Sequence, residues 1–168
     1  MGRRSWWAGA VVMGLAASVW AAPPKVRNGI DVLVAQDFKP LAGKRVGLIT
    51  NPTGVTWDLK STADVLAASK TVKLVALYGP EHGIRGDTHA GDSVADSKDP
   101  ATGVPVLSLY SGDSGKPTKQ MLAGVDTLVY DIQDNGARSY TYITTMAKCM
   151  QAAAENGLEF VVLDRPNP

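Results

Sequence analysis

The segment VKLVALYGPEHGIRGD, from Val72 to Asp87, joins a run of apolar residues to a short polar stretch rich in glycine. Its first part, Val72 to Tyr78, is almost continuously apolar, which is typical of a strand buried on both faces of a sheet. The part that follows contains Glu81, His82 and Arg85. An acid, an imidazole and a guanidinium directly after a buried strand indicate a functional site at the end of that strand.

The same alternation of apolar and amphipathic segments runs along most of the chain. Strands are also predicted at Lys44–Thr50, Val104–Tyr110, Asp126–Ile132 and Glu159–Asp164. Helices are predicted at Ile30–Leu41, Asp58–Ser69 and Tyr140–Asn156, with a short one near Thr118–Ala123. Strands that alternate with helices predict an α/β fold in which a parallel sheet is covered by helices on both faces.

The first residues of the chain resemble an export signal. Arg3 and Arg4 precede an apolar run from Trp6 to Trp20, and small residues suit cleavage before Ala22. A membrane anchor is the alternative, but a run of roughly 15 apolar residues is shorter than the about 20 needed to span a bilayer. The prediction is a signal peptide over residues 1–21 and one domain over residues 22–168. The protein is then periplasmic or extracellular, without stable membrane insertion after cleavage.

Composition excludes several classes of function. The chain has 17 Lys and Arg against 16 Asp and Glu, whereas a nucleic-acid partner would require a basic excess. Neither G-x-G-x-x-G nor G-x-x-x-x-G-K-[ST] occurs after the first strand, which argues against a nucleotide cofactor. The single cysteine, Cys149, cannot form an internal disulfide, and its Ala- and Met-rich surroundings predict a buried packing thiol.

Polar clusters follow four of the predicted strands. Their sequences are TNPTG, GPEHGIRGD, DIQDNGARSYTY and DRPNP. Turns alone explain many Asn, Asp, Gly and Pro residues, but they do not require Glu, His, Arg or Tyr. Because ligands of open parallel sheets bind beyond the carboxyl ends of the strands, the four clusters are expected to converge on one site. Within the last cluster, Asp164 and Arg165 are expected to pair and to brace the strand end.

Two kinds of chemistry fit the cluster that contains Glu81. A metal site could draw on Glu81, His82, Asp87, His89 and Asp92, although their spacing is not that of a helical H-E-x-x-H pair. Glycoside hydrolysis needs a carboxylic acid and usually a second carboxylate. A carboxyl group partly withdrawn from water after the apolar strand would suit the acid. Asp131 and Asp134 could supply the second charge, and the residues alone leave both chemistries open.

Four blocks of sequence resemble the signature blocks of a known family. VGLITNPTGV, LYGPEHGIRGD, YDIQDNGARSYTY and LDRPNP are similar to those of the NamZ-type exo-β-N-acetylmuramidases, which are peptidoglycan-processing glycoside hydrolases. The resemblance extends from about Asn28 to Pro168. It implies a Rossmann-like catalytic domain, followed in relatives by a smaller C-terminal domain, that removes N-acetylmuramic acid from non-reducing ends of glycans. Since the sequence stops at LDRPNP, the domain is expected to be truncated before that second domain.

The resemblance also implies roles for particular residues. Glu81 corresponds to the presumed catalytic acid, which would act as acid and then as base, and Asp131 is the candidate for the second catalytic group. The residues expected to bind substrate are Asn51, His82, Arg85, Gln133, Arg138 and Tyr142. No metal and no cofactor is expected, and the partner is a peptidoglycan-derived glycan. Two alternatives are kept: a non-catalytic cell-wall glycan-binding module and a metal-dependent peptidoglycan amidase.

Overall fold

The computed structural model describes residues 26–80, 83–86, 97–110 and 115–167. The predicted signal peptide, residues 1–21, lies outside the described residues. So do five of the predicted site or metal-ligand residues, namely Glu81, His82, Asp87, His89 and Asp92. The description of the fold and of the candidate site below therefore rests on their neighbours.

Within the described residues the chain alternates between strands and helices. The helices are α1 (Gly29–Ala35), α2 (Thr62–Ala68) and α3 (Tyr142–Glu155), and a 3-10 helix spans Lys39–Leu41. The strands are β1 (Arg45–Thr50), β2 (Lys73–Gly79), β3 (Ser97–Lys98), β4 (Pro105–Ser108), β5 (Thr127–Asp131) and β6 (Glu159–Val162). The five strands predicted from apolar runs are all confirmed, and β3 is an addition.

The strands form one sheet in the order β3-β4-β2-β1-β5-β6. Neighbouring strands are parallel except for β3, which runs antiparallel to β4. From the central strand β1 the chain passes to β2 and then β4, and afterwards returns to the other side of β1 to form β5 and β6. The direction of winding therefore changes between β1 and β5, which is the switch point where doubly wound sheets commonly bind ligands.

Apolar side chains cover both faces of the sheet, which confirms the predicted layers. On one face, Ile30 and Leu33 of α1 and Leu66 of α2 pack against sheet residues that include Leu48. On the other face, α3 contributes Cys149 to a cluster that also contains other residues of α3, β2 and β5. Cys149 is fully buried as predicted, and burial raises the pKa of its thiol to about 12. No helix of the described part of the chain is long and apolar enough to cross a membrane.

Several predicted helix boundaries were wrong. The first helix ends at Ala35 because Asp37 and Phe38 adopt positive φ angles of 50° and 55°, which an α-helix cannot contain. The second begins only at Thr62, after a turn in which Leu59 has a φ of 62°. The short helix predicted near residues 118–123 is a turn with a single bond of the α-helical type, from the Leu122 amide to the Thr118 carbonyl.

Candidate active site

The switch point between β1 and β5 is filled by the chain itself. The hydroxyl of Thr50, the last residue of β1, donates a hydrogen bond to the backbone oxygen of Asp131 at 2.8 Å. The backbone of Gly54 lies so close that a Cβ atom there would be 2.1 Å from Thr50 Oγ1 and 2.7 Å from the Asp131 oxygen. Only glycine fits, so the loop after β1 packs directly against the end of β5.

Asp131 is fully buried and holds three parts of the fold together. Arg165 donates from Nε to Asp131 Oδ1 at 2.6 Å and from Nη2 to Oδ2 at 3.0 Å, and the Thr62 hydroxyl donates to Oδ2 at 2.5 Å. Arg165 also bonds to the Val55 carbonyl at 2.7 Å. The carboxylate therefore joins β5 to the segment after β6 and to the start of α2. This arrangement favours a bracing role over the predicted role as second catalytic group.

The prediction that Asp164 and Arg165 pair with each other was wrong. Successive side chains of an extended segment point in opposite directions. Arg165 accordingly turns inward to Asp131, where only 6% of its side chain is exposed, whereas Asp164 is exposed. Thr62, the other partner of Asp131, was missed because the two residues are 69 positions apart in the chain and no sequence pattern links them.

Asn51 and Gln133 are brought together through Thr53. Asn51 Oδ1 accepts bonds from the Thr53 amide at 2.9 Å and from its hydroxyl at 2.6 Å. The hydroxyl oxygen of Thr53 in turn accepts a hydrogen bond from the backbone amide of Gln133 at 2.9 Å. Gln133 Nε2 donates to the carbonyls of Asp134 and Pro166, both at 2.8 Å. The loops after β1, β5 and β6 thus meet at one edge, as the sequence predicted, and the polar groups of Asn51 and Gln133 help to hold them there.

Arg85 is enclosed by two carboxylates of the protein. Its guanidinium donates to Asp99 at 3.0 and 2.8 Å and to Asp64 of α2 at 3.1 and 2.6 Å. Asp99 is buried, and the Arg85 bonds are the main reason that its pKa falls to about 2, with Thr102 adding further bonds. The hydrogen bonds that Arg85 donates to both carboxylates raise its pKa. The charge of Arg85 is therefore already compensated, and neither partner was predicted, since both are distant in sequence.

A cavity of about 450 Å³ opens between the ends of β5 and β6 and the start of α3. Its size is in the range of small-molecule sites. Arg138 lies on the cavity and is exposed, and among the residues that the structure describes no ion pair or side-chain hydrogen bond involves it. Asp134 and Asp164 also line the cavity, and Ile143 and Met146 contribute to its apolar wall. This cavity offers charges of both signs beside an apolar surface.

Tyr142 opens α3 and lies beside this cavity without lining it. Its ring is partly buried against the core and meets that of Tyr140 edge to face, with centroids 5.9 Å apart. Its carbonyl accepts a bond from the Tyr130 hydroxyl at 3.0 Å. Nearby, the hydroxyls of Tyr110 and Thr141 are 2.7 Å apart. The start of α3 therefore carries a cluster of aromatic rings, of which only Tyr142 was predicted as a site residue.

The predicted acid follows Pro80, the residue after β2. Glu81 and His82 themselves lie outside the described residues, so their geometry stays a prediction. β2 is separated from β5 by one strand, and with a strand spacing of about 4.8 Å the ends of β2 and β5 are about 10 Å apart. The loops after β1 and β2 are in contact, because a Cβ atom on Gly86 would be 2.9 Å from the ring of Pro52. Side chains from these strand ends can therefore reach a common ligand.

The described residues contain no group of three or more His, Cys, Asp or Glu residues placed to hold a metal ion. The five candidate ligands between Glu81 and Asp92 lie outside these residues.

The fold and the convergent loops define a doubly wound α/β domain with a polar site at the carboxyl edge of its sheet. A family model described as "Exo-beta-N-acetylmuramidase NamZ, N-terminal" matches residues 46–168. The chain belongs to this family, as the sequence blocks indicated.

Similar proteins are known from curated sequences and solved structures. The chain is 59% identical over 148 residues to a protein of Bacillus subtilis (strain 168) named "Peptidoglycan beta-N-acetylmuramidase NamZ". Crystal structures of two DUF1343 family proteins from Bacteroides fragilis NCTC 9343 share the fold, one at 60% identity with a TM-score of 0.78 and the other at 38% with 0.69. The alignments cover 88%, 84% and 86% of this chain but only 36%, 35% and 36% of the relatives. The chain thus spans about a third of their length.

Proposed function

We propose that the protein acts in an exo-acting glycoside hydrolase that releases N-acetylmuramic acid from non-reducing ends of peptidoglycan glycans. The observation that carries this proposal is the 59% identity to the Bacillus subtilis protein named as a peptidoglycan beta-N-acetylmuramidase. Family membership over residues 46–168 supports it. As residues 1–21 have the pattern of a signal peptide, the proposal includes export to the compartment that contains peptidoglycan.

In the proposed mechanism Glu81 serves first as general acid and then as general base. Glu81 donates its proton to the glycosidic oxygen as the bond from that oxygen to the anomeric carbon breaks, and positive charge develops on the sugar. Water then attacks the anomeric carbon, and the Glu81 carboxylate accepts the proton that the water loses. The place of Glu81 in the sequence, directly after Pro80 at the end of β2, supports this assignment, since the loops after β1, β5 and β6 meet at the same edge of the sheet.

Three kinds of group could serve as the second catalytic group. Asp131 is engaged by Arg165 and Thr62, so it would have to leave a buried ion pair to act. Asp134 and Asp164 line the cavity between β5, β6 and α3 and are better placed to stabilise a cationic sugar. The 2-acetamido oxygen of the substrate is the third source, because substrate-assisted glycosidases use it in place of a carboxylate.

The test is the Glu81→Gln variant of the full-length protein, assayed on glycan fragments that end in N-acetylmuramic acid. We expect at least a 10²-fold loss of kcat, the usual minimum for a lost general acid, with binding of the glycan retained. Glu155→Gln is the matched control, because Glu155 lies at the far end of α3 and pairs there with Lys116. Its activity should equal that of the wild type.

The outcomes separate the alternatives. An unimpaired Glu81→Gln variant contradicts the mechanism. Wild-type protein that binds the glycan and never cleaves it indicates a binding module. Cleavage of the bond between peptide and sugar, lost on chelation, indicates an amidase.

A further inference from the structure

Two exposed tyrosines lie at the carboxyl edge of the sheet outside the cavity described above. Tyr110 follows β4 and is 45% exposed, and Tyr140 precedes α3 and is 49% exposed. Neither was predicted to have a role. A tyrosine that serves the core looks different: Tyr78 is fully buried, and its hydroxyl donates to the Met121 carbonyl at 2.7 Å.

Tyr110 is next to the strand end from which the candidate acid follows. The Leu109 amide donates to the Gly79 carbonyl at 2.9 Å, which ties the end of β4 to the end of β2. Tyr110 and Pro80 are the residues that follow Leu109 and Gly79 in the chain. They therefore leave the sheet about one strand spacing apart, or about 5 Å. The hydroxyl of Tyr110 reaches Thr141 at the start of α3, and neither Tyr110 nor Tyr140 lines the cavity between β5 and β6.

The aromatic residues are held by bonds that involve their hydroxyls, edges and backbone. The hydroxyl of Tyr110 is 2.7 Å from that of Thr141, and its amide donates to the Ser108 hydroxyl at 3.2 Å. Tyr140 packs edge to face on Tyr142, whose carbonyl accepts the Tyr130 hydroxyl. Such contacts fix the orientation of a ring without covering both of its faces. The exposure of Tyr110 and Tyr140 agrees with this, so the cluster presents a pre-oriented apolar surface beside hydroxyl groups.

We propose that Tyr110 and Tyr140 form a stacking platform for a sugar ring of the glycan on the leaving-group side of the cleaved bond. This inference rests on the proposed function. A pyranose has an apolar face of C–H groups and a rim of hydroxyls, which matches exposed aromatic faces bordered by hydroxyls. The cavity then receives the terminal sugar, and the rest of the glycan extends across β4.

The test compares KM and kcat on a glycan of several sugars and on a chromogenic N-acetylmuramic acid monosaccharide, using the full-length protein. Tyr110→Ala and Tyr140→Ala should each raise KM for the glycan by about tenfold and leave the monosaccharide reaction unchanged, because the chromogenic leaving group does not extend across β4. Tyr110→Phe keeps the ring and should retain most of the affinity. The control is Trp57→Ala, since Trp57 is 71% exposed but borders α1 on the opposite face, and it should match the wild type.

Three outcomes would overturn the platform. Equal losses on glycan and monosaccharide would mean that the tyrosines support the fold of the site. Unchanged KM in both alanine variants would mean that the rings do not touch substrate, and a change in sedimentation without a change in KM would assign them to self-association. If the wild type cleaves neither substrate, the proposed function is wrong, and the platform is then tested separately by calorimetry with the intact glycan. Tyr110→Ala should bind the glycan more weakly than the wild type. Equal binding by the two proteins would overturn the platform.

Discussion

Arg85 and Arg138 show how the surroundings of a side chain decide its use. Both lie in polar loops at the carboxyl edge of the sheet, and both were predicted to bind substrate. N-acetylmuramic acid carries a lactyl carboxylate, so a site that selects this sugar should present a cation to it. A carboxylate approaching Arg85 would meet Asp64 and Asp99, whereas Arg138 lies exposed on the cavity. Under the proposed function, Arg138 is therefore the better candidate to bind the lactyl carboxylate.

The Arg138→Met variant tests this assignment. It should lower kcat/KM on substrates that end in N-acetylmuramic acid by roughly 10–150-fold, the value of a charge-assisted contact, and leave the slow reaction on N-acetylglucosamine ends unchanged. Arg85→Met should instead reduce both reactions equally and lower the stability of the protein, because it leaves Asp99 buried without its main partner. Paired chromogenic substrates with and without the lactyl group measure both effects. A selective loss in Arg85→Met would reverse the assignment.

Asp99 gives the Arg85 cluster a defined dependence on pH. Its pKa is lowered from 3.8 to about 2 in the folded protein, so the folded state binds this proton less readily than the unfolded state. The stabilisation is therefore complete above about pH 4 and is lost as the pH falls to about 2, with a magnitude of about 2 kcal/mol. Urea unfolding between pH 2 and pH 6 should show that the wild type loses about this much more stability in acid than Asp99→Asn. Parallel curves for the two proteins would contradict it.

At the scale of elements, the Asp131–Arg165 ion pair connects β5 with the segment after β6. Asp131→Asn should lower the free energy of unfolding by about 3–5 kcal/mol, since it leaves the buried guanidinium without its counter-charge. The matched control is Asp126→Asn before β5, where the pair with Arg45 is exposed to solvent and contributes much less to stability. Denaturant titration measures both variants. A stable but inactive Asp131→Asn protein would restore Asp131 as a catalytic candidate.

The strands could be predicted from sequence, but helix limits and ion pairs could not. Segments such as Arg45–Thr50 are buried on both faces, so their apolar character appears in the sequence without ambiguity. The end of α1 and the start of α2 depend on positive φ angles at Phe38 and Leu59, and neither residue type signals such a conformation. The convergence of the loops was predictable from topology. The ion pair between Arg85 and Asp99 was not predictable, because it depends on how the loops pack against each other.

At the scale of the whole molecule, the metal alternative can be tested directly. Activity of the full-length protein should survive treatment with EDTA, and elemental analysis should find no stoichiometric metal, because the spacing of the five candidate ligands from Glu81 to Asp92 does not match a zinc motif. Loss of activity on chelation with recovery on addition of zinc would favour the amidase.

The pairing of β1 with β5 also governs the order in which the molecule can assemble. Thr50 and Asp131 are partners in the sheet although they are 81 residues apart in the chain. During synthesis β1 can pair with β2 early, but its other edge stays open until β5 has emerged. That edge belongs to RVGLIT, a short segment of high β-propensity, which is the kind of sequence that associates with other chains. A nascent chain that pauses before Thr127 is therefore expected to be the most aggregation-prone form of this protein.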